Sequence, residues 1–252
     1  MVVAGEVNYE SAPRIVQSLR ELQEKGELRI AMDCGSVDFI DSSGIGAIVH
    51  AADALRRAGG ALSLRAATPQ LTHALQVSGF SELLDVQAPA PEQAAVRARR
   101  GHPSRVWQQA RFSVGMAADE EAVARRRVTE LAEMLPFSPE QIDDIRLAVG
   151  EAVANAIRHG CAGRDGHLTV RCAADSEKLV IRVHNPGEPF DPAAVPVPNP
   201  CSLREGGLGI FFMRTAMDSV DYSFDDTGTT VTMTKYLPPA EEGDGRRSDH
   251  LD

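Results

Sequence analysis

The chain lacks a long hydrophobic run, an excess of positive charge and a basic segment followed by an apolar one at its start. No apolar stretch approaches the roughly 18 residues of a membrane-spanning helix. We therefore expect a cytoplasmic protein that does not contact a membrane. The formal net charge of -10 argues against direct binding of nucleic acid, which requires a positive surface.

Cysteine is scarce and scattered. The four cysteines are Cys34, Cys161, Cys172 and Cys201, and no two of them have the C-x-x-C spacing of a metal or redox site. This pattern predicts free thiols rather than zinc ligands or disulfides. No internal repeat with a period of about 20 to 50 residues is visible either, which excludes a solenoid or a propeller.

The length of 252 residues is enough for two domains with separate cores. Strands that alternate with helices predict an α/β domain over residues 1–87, and a Pro-, Ala- and Arg-rich stretch at 88–104 predicts a linker. Consecutive strands late in the chain predict an α+β sandwich with mixed or antiparallel pairing at 105–237. The charged tail at 238–252 is predicted to be disordered.

The element predictions follow hydrophobic periodicity and the positions of Gly and Pro. In the first domain we predict four helices, at 10–25, at 41–58 before the Gly pair at 59–60, at 68–79 and at 81–84. We predict three strands there, a short one at the start of the chain and others at 28–32 and 61–66. In the second domain we predict helices at 119–134, 138–160 and 208–217, and strands at 109–114, 168–173, 179–183, 220–224 and 229–236.

The helix from Ser138 to Gly160 carries both its start and stop signals. Ser138 is an N-cap, Pro139 occupies the first helical position, and Gln141 completes a capping box. Its apolar face comprises Ile142, Ile145, Val149, Val153 and Ala156. Glu151, Asn155 and His159 form a polar row at i, i+4 and i+8 on another face, and taken alone such a row is typical of a solvated surface.

In the first domain, Ser42 stands where a strand region gives way to a helix. Its hydroxyl is expected to be exposed at the helix N-terminus, beside Asp41, and Asp, Ser and Gly are also ordinary capping residues there. A phosphate on Ser42 would add about 1.5 to 2 negative charges and change the surface charge at that point.

The stretch around Ser42, from GEVNYESAPRIVQSL to GFSELLDV, closely resembles the STAS domain of anti-sigma-factor antagonists over nearly all of residues 1–87. In that family the serine directly after the Asp is phosphorylated. The resemblance therefore implies that Ser42 is the phosphorylation site, with Ser43 as the neighbour if the register differs by one.

A second resemblance begins with Arg204-Glu205-Gly206-Gly207-Leu208-Gly209, where glycines precede a predicted helix and leave room for phosphate oxygens. Together with E-x-x-x-N on the helix at 138–160, and with EAVANAIRHG and GTTVTMTKYL, it resembles the GHKL ATP-binding fold of serine-kinase anti-sigma factors. The resemblance implies that Asn155 binds Mg²⁺ and that Glu151 is the general base. The further nucleotide-binding residues that it implies are Asn185, Gly187, Arg204, Gly207, Gly209 and Thr230.

One segment departs from that family. The usual D-x-G-x-G that contacts adenine is Asn185-Pro186-Gly187-Glu188-Pro189 here. The amide oxygen of Asn185 can still accept the adenine amino hydrogen, but the charge-assisted bond of a carboxylate is lost. The expected cost is about 1 to 2 kcal/mol, or about tenfold in affinity.

These observations predict a partner-switching regulator of transcription in which a phosphorylatable STAS domain is joined to an ATP- and Mg²⁺-dependent protein serine kinase of the anti-sigma type. The expected partners are a sigma factor, a separate STAS protein or the chain's own STAS domain in cis or in trans, and a homodimer is compatible with them. The alternative is a catalytically inactive scaffold that sequesters a sigma factor or STAS protein. Phe211 and Phe212 are expected in a core rather than at an interface, and Arg125 to Arg127 on a solvated helix face or, as a second option, against an acidic partner.

Overall fold

The computed structural model describes residues 1–77, 79–81, 84–87, 109–115, 118–159, 167–186 and 208–238. The predicted linker at 88–104 lies outside this part of the chain, as do the predicted tail beyond Pro238 and two residues of the short helix predicted at 81–84. The domain limits at 87 and 105 therefore stay predictions.

The first sheet has four parallel strands in the order β1-β2-β3-β4, as expected for an α/β domain. Its strands are β1 (Val2–Val7), β2 (Arg29–Ile40), β3 (Ala61–Arg65) and β4 (Asp85–Val86), and its helices are α1 (Ala12–Glu24), α2 (Ser42–Arg57) and α3 (Pro69–Val77). Helix α2 begins directly after β2, so residue 42 lies at the carboxyl edge of this sheet, where the sites of α/β domains are commonly found.

Strand β2 is longer than predicted. Periodicity predicted an end at residue 32, but the strand continues to Ile40 because β1 pairs with its second half, with Ala4 opposite Ser36 and Val7 opposite Ile40. Charged and glycine residues at 33–38 obscure the alternation in the sequence. Strand β4 was not predicted, since two residues are too few to show a period.

The second sheet has five antiparallel strands in the order β5-β6-β7-β9-β8, which confirms antiparallel pairing. Its elements are β5 (Gln109–Val114), α4 (Ala118–Ala132), α5 (Pro139–His159), β6 (Leu168–Ala174), β7 (Lys178–Asn185), α6 (Leu208–Ala216), β8 (Ser219–Asp225) and β9 (Gly228–Tyr236). Apolar residues of the three helices and of the sheet share one buried cluster.

Helix α5 starts as predicted. The Ser138 N–H donates to Oε1 of Gln141 at 3.0 Å, and the Gln141 N–H donates to Oγ of Ser138 at 3.2 Å. This confirms the capping box. Ile145, Val149 and Val153 on the predicted apolar face are fully buried.

The two domains pack directly against each other. Leu147 of α5 and Phe212 of α6 belong to the buried cluster that is otherwise formed by the first domain, and Phe211 packs against the same cluster. Phe212 is fully buried, which confirms the prediction that it is a core residue, and the cluster that contains it joins the two domains. Burying each of these side chains contributes about 1.5 to 3 kcal/mol to the domain contact.

Gly150 on α5 allows the first domain to approach this helix closely. A Cβ built on Gly150 would lie 2.7 Å from Cζ of Phe39, a buried ring at the end of β2. Only a residue without a side chain allows the ring to pack onto the helix at this position.

In the described part of the chain, no helix is both long and apolar enough to cross a membrane. Cys34 and Cys172, the two cysteines that the structure describes, are buried and free, as the sequence predicted.

Replacing Gly150 with Ala tests the interface. Alanine favours a helix interior by about 1 kcal/mol over glycine. The clash with the Phe39 ring should outweigh this gain, so we expect the free energy of unfolding to fall by about 1 to 2 kcal/mol. Calorimetric unfolding measures the change. In a Phe39→Leu background, which lacks the clashing ring carbon, the same substitution should cost less. An equal cost in both backgrounds would argue against this contact.

Candidate functional site

Ser42 occupies the first position of α2 and is buried. Asp41 caps the helix, because its Oδ1 accepts the Gly44 N–H at 2.8 Å, so the predicted helix start is confirmed. The expectation that the Ser42 hydroxyl is exposed is wrong: the residue is only 6% exposed. The sequence of one domain could not reveal this burial, because the other domain covers the hydroxyl.

Glu151 of α5 is the residue that covers Ser42. Its Oε1 accepts the Ser42 backbone N–H at 2.5 Å, and its Oε2 accepts the Ser42 Oγ–H at 2.8 Å. The carboxylate is completely buried, so the interpretation of the polar row on α5 as a solvated face does not hold for Glu151. The structure brings together the proposed acceptor and the proposed base, which are 109 residues apart in sequence.

Burial dominates the electrostatics of this carboxyl group. It raises the pKa of Glu151 to about 8, and the negative charge of Asp41 adds to the shift, while the bonds from Ser42 and the charge of Arg158 oppose it. The pKa of Asp41 is likewise raised, mainly by its own burial. A carboxyl group with a pKa near neutrality can exchange a proton under physiological conditions, as a general base must.

Arg125 on α4 supplies positive charge beside this acidic region. Its guanidinium pairs with Glu121 and with Glu6 of the first domain, and it lies 3.5 Å from the centroid of the Phe39 ring. Burial raises the pKa of Glu121 to about 7, against the effect of Arg125. The preferred prediction of a solvated face is wrong for Arg125, which is only 4% exposed. Its acidic contacts are Glu121 and Glu6 of the same chain, so the second option, contact with an acidic partner, stays a prediction.

Asn155 lies one turn beyond Glu151 and faces a pocket in the second domain. The pocket is open to solvent, and the space inside it together with its mouth amounts to about 470 Å³. It is lined by Ala152, Asn155, Ala156, Val183, Asn185, Met213, Tyr222, Thr229 and Val231.

At the edge of the pocket, Oδ1 of Asn185 is buried and has no hydrogen-bond partner among the described residues. An unpaired buried acceptor costs stability unless a ligand supplies the missing donor. The amino group of adenine is a donor of this kind, so Asn185 fits the role that the sequence analysis assigned to it.

Thr230 does not line the pocket. Side chains alternate along β9, and Thr229, opposite Asn185 on β7, is the residue that faces it. Thr230 lies on the other face of the sheet, where its Oγ1 is 2.9 Å from Nδ1 of His184. The strand register therefore favours Thr229 over the predicted Thr230 as the residue that faces the pocket.

Gly209, the second residue of α6, closes the site from the other side. A Cβ at this position would lie 2.5 Å from Oε2 of Glu151 and 3.3 Å from Nδ2 of Asn155. Glycine thus allows α6 to approach both polar side chains. The other predicted nucleotide-binding residues, Gly187, Arg204 and Gly207, lie outside the described residues, as does Pro189.

These residues fit ATP and Mg²⁺. The pocket offers an unpaired acceptor for a base, and Gly209 leaves space where a side chain would block the approach to Asn155. Mg²⁺ needs few protein ligands beside phosphate oxygens and water, and the amide oxygen of Asn155 is a suitable one. Among the described residues, no group of three or more His, Cys, Asp or Glu side chains could hold a metal ion by itself.

Comparison with known proteins finds two family models that match this chain. Residues 1–92 match the model of the STAS domain, and residues 116–235 match the model of the histidine kinase-like ATPase domain. The serine-protein kinase RsbW of Listeria monocytogenes serotype 4a (strain HCC23) is 35% identical over 126 residues, which are 46% of this chain and 79% of that protein.

The chain belongs to the RsbW serine-protein kinase family. It carries a STAS domain in the same polypeptide. The RsbW of Bacillus subtilis (strain 168) is 31% identical over 137 residues, 51% of this chain and 81% of the relative. The match to the ATPase model makes the second domain of this RsbW family member an ATP-binding domain.

Among solved structures, the Bacillus cell fate determinant SpoIIAA in its phosphorylated form is 22% identical. The match covers 39% of this chain and 87% of that one, with a TM-score of 0.30.

Gly209→Ala should push the Glu151 carboxylate away from Ser42. We expect the free energy of unfolding to fall by about 1 to 3 kcal/mol, because the new methyl group overlaps a buried oxygen. Gly46→Ala in α2 is the matched control, since its Cβ would lie at an ordinary 3.6 Å from Cδ1 of Leu208. It should leave stability unchanged or raise it by up to about 1 kcal/mol. Chemical denaturation of both variants measures the difference, and equal losses would contradict the close approach of α6.

Proposed function

We propose that the chain is an ATP-dependent protein serine kinase that phosphorylates Ser42 of its own STAS domain. The observation that carries this proposal is the 2.8 Å hydrogen bond from Oγ of Ser42 to Oε2 of Glu151. A general base must lie within hydrogen-bond reach of the proton that it removes, and this pair meets that requirement. Membership of the RsbW family supports the same reaction.

In the proposed reaction the residues of the chain position the acceptor and take up its proton. Bound ATP supplies the phosphoryl group, and Mg²⁺ neutralises its charge. The Ser42 oxygen forms the new bond to phosphorus, the bond from phosphorus to the ADP oxygen breaks, and the hydroxyl proton passes to Glu151. Meanwhile the bond from the Ser42 N–H to Oε1 holds the acceptor in place.

Phosphorylation would also change the domain contact. A phosphate on Ser42 brings about 1.5 to 2 negative charges next to the buried carboxyl groups of Glu151 and Asp41. Such a charge is unfavourable there, because desolvation and the like charges of Glu151 and Asp41 both oppose it. We therefore propose that the phosphorylated STAS domain leaves the kinase domain and exposes the surface formed by α5 and α6.

A sigma factor or a separate STAS protein is the partner that we propose for the exposed surface, in a partner-switching system that regulates transcription. A homodimer would allow the same transfer between chains. The proposed reaction does not require a second STAS protein. Ser42 already contacts Glu151 within one chain, so the chain can act on its own STAS domain.

The alternative of an inactive scaffold is not favoured. It rested on Asn185 and Pro189, and Asn185 still contributes a buried unpaired oxygen at the pocket. The expected effect of the amide is weaker nucleotide binding, by about tenfold, rather than loss of binding.

Intact-mass analysis after incubation with Mg-ATP tests the reaction. We expect one phosphate on the wild-type chain and none on Ser42→Ala, because the acceptor is gone. Glu151→Gln should lose about 100-fold or more in rate, since an amide cannot take the proton. A wild-type chain without added mass, or unchanged incorporation in Ser42→Ala, would contradict the assignment of Ser42.

Mixing two variants separates transfer within a chain from transfer between chains. Glu151→Gln keeps the acceptor and lacks the base, whereas Ser42→Ala keeps the base and lacks the acceptor. Transfer within one chain predicts that the mixture stays unphosphorylated and that the wild-type rate does not depend on protein concentration. Phosphate on the Glu151→Gln chain would instead establish transfer in trans.

The rate should rise with pH. The pKa of Glu151 is raised to about 8, so the deprotonated base increases about tenfold per pH unit well below that value and reaches a plateau above it. Initial rates of phosphate incorporation between about pH 6 and pH 9 measure the profile. A profile that is flat, or that falls over this range, would exclude Glu151 as a base with a raised pKa.

A further inference from the structure

Arg158 in the last turn of α5 contacts both domains at the edge of the proposed active site. Its Nη2–H donates to Oδ1 of Asn155 at 3.0 Å, and its Nε–H donates to the carbonyl oxygen of Ala154 at 3.3 Å. These two contacts fix the guanidinium group on the kinase side.

The same guanidinium group reaches the STAS domain. Nη1–H of Arg158 donates to Oγ of Ser43, the residue after the proposed acceptor, at 3.3 Å. Its central carbon lies 5.8 Å from the ring centroid of Tyr9, in the loop that follows β1. One side chain therefore touches Asn155, which faces the nucleotide pocket, and the first turn of α2, which carries Ser42.

A role in stability alone does not account for this arrangement. Arg158 is exposed, and exposed polar contacts of a long side chain contribute little to folding. An arginine near a helix C-terminus gains from the helix dipole, but that gain needs neither Ser43 nor Tyr9. The arrangement does fix the Ser43 hydroxyl relative to the Asn155 carboxamide, because the guanidinium group that binds both is planar and its donors are rigidly spaced.

We propose that Arg158 is a positioning residue for phosphoryl transfer. By binding both the carboxamide of Asn155 and the first turn of α2, it fixes the position of Ser42 relative to the nucleotide pocket. The proposal rests on the proposed kinase function. The amide oxygen of Asn155 has two acceptor positions, so the bond from Arg158 leaves one of them for a metal ion. Two further N–H groups of Arg158 have no partner among the described residues and are available to anionic oxygens.

Arg158 was not among the predicted site residues. Its spacing of three from Asn155 was the one signal in the sequence that the two side chains meet. Its contacts with Ser43 and Tyr9 depend on domain packing, which the spacing of residues within α5 does not reveal.

The test compares Arg158→Met, which keeps the stem and removes the guanidinium group, with Arg158→Lys, which keeps the charge and loses the planar fork. Arg126→Met, at an exposed position on α4, is the matched control. For Arg158→Met we expect the rate of Ser42 phosphorylation under saturating Mg-ATP to fall about 30- to 100-fold, because misplaced reactants react slowly. Arg158→Lys should retain an intermediate rate, and Arg126→Met the full rate.

Affinity for nucleotide should separate positioning from binding. Calorimetry with an ATP analogue that cannot transfer its terminal phosphoryl group should give dissociation constants within about threefold of the wild type for both Arg158 variants. A loss of affinity as large as the loss of rate would overturn the positioning role and make Arg158 a nucleotide ligand.

A readout without nucleotide completes the test. The chain has three tyrosines, so fluorotyrosine labelling gives few resonances, and Tyr9→Phe assigns the one of interest. Arg158→Met should shift the Tyr9 resonance, and Arg126→Met should not. Unchanged Tyr9 resonance and unchanged rate in Arg158→Met would overturn the proposal while leaving the kinase function intact. A wild-type chain that incorporates no phosphate would overturn both.

Discussion

The burial of the Glu151 carboxylate against Ser42 is the contact on which the rest of the structure depends. A lone carboxyl group in a domain interface is costly, and here two hydrogen bonds from one residue and the N-terminus of α2 offset that cost. The raised pKa of Glu151 has a consequence for stability. Because the folded state binds a proton that the unfolded state releases between about pH 4.5 and pH 8, this group's contribution to stability falls as pH rises through that window. Folding therefore favours the protonated form, whereas catalysis needs the deprotonated one.

Glycines at two positions allow the close approach around this contact, and buried aromatic rings pack beside it. Gly150 lets the Phe39 ring of the first domain pack onto α5, and Gly209 lets α6 approach Glu151. Phe212 packs in the cluster that joins the two domains. Arg125 balances part of the acidic charge near Asp41 and Glu121. The two domains are therefore complementary in both shape and charge where they meet.

Local signals in the sequence predicted much of the fold, and contacts between domains explain what they missed. The capping box at Ser138 and the cap at Asp41 depend on residues three apart, so their geometry could be predicted. The resemblance to known families identified Glu151 and Ser42, but neither periodicity nor spacing could show that they touch. For the same reason the burial of Ser42 and Arg125 was predicted wrongly. The choice between Thr229 and Thr230 required the strand register, which one sequence does not fix.

Hydrogen exchange at the backbone amide of Ser42 tests the central contact most directly. The first amides of a helix have no partner within the helix, so protection at this position must come from outside it. If Glu151 accepts this N–H in the docked chain, the amide should exchange about 100-fold or more slowly than an unprotected one, and Glu151→Ala should abolish that protection. Exchange at the unprotected rate in the wild type, or protection that persists in Glu151→Ala, would contradict the account.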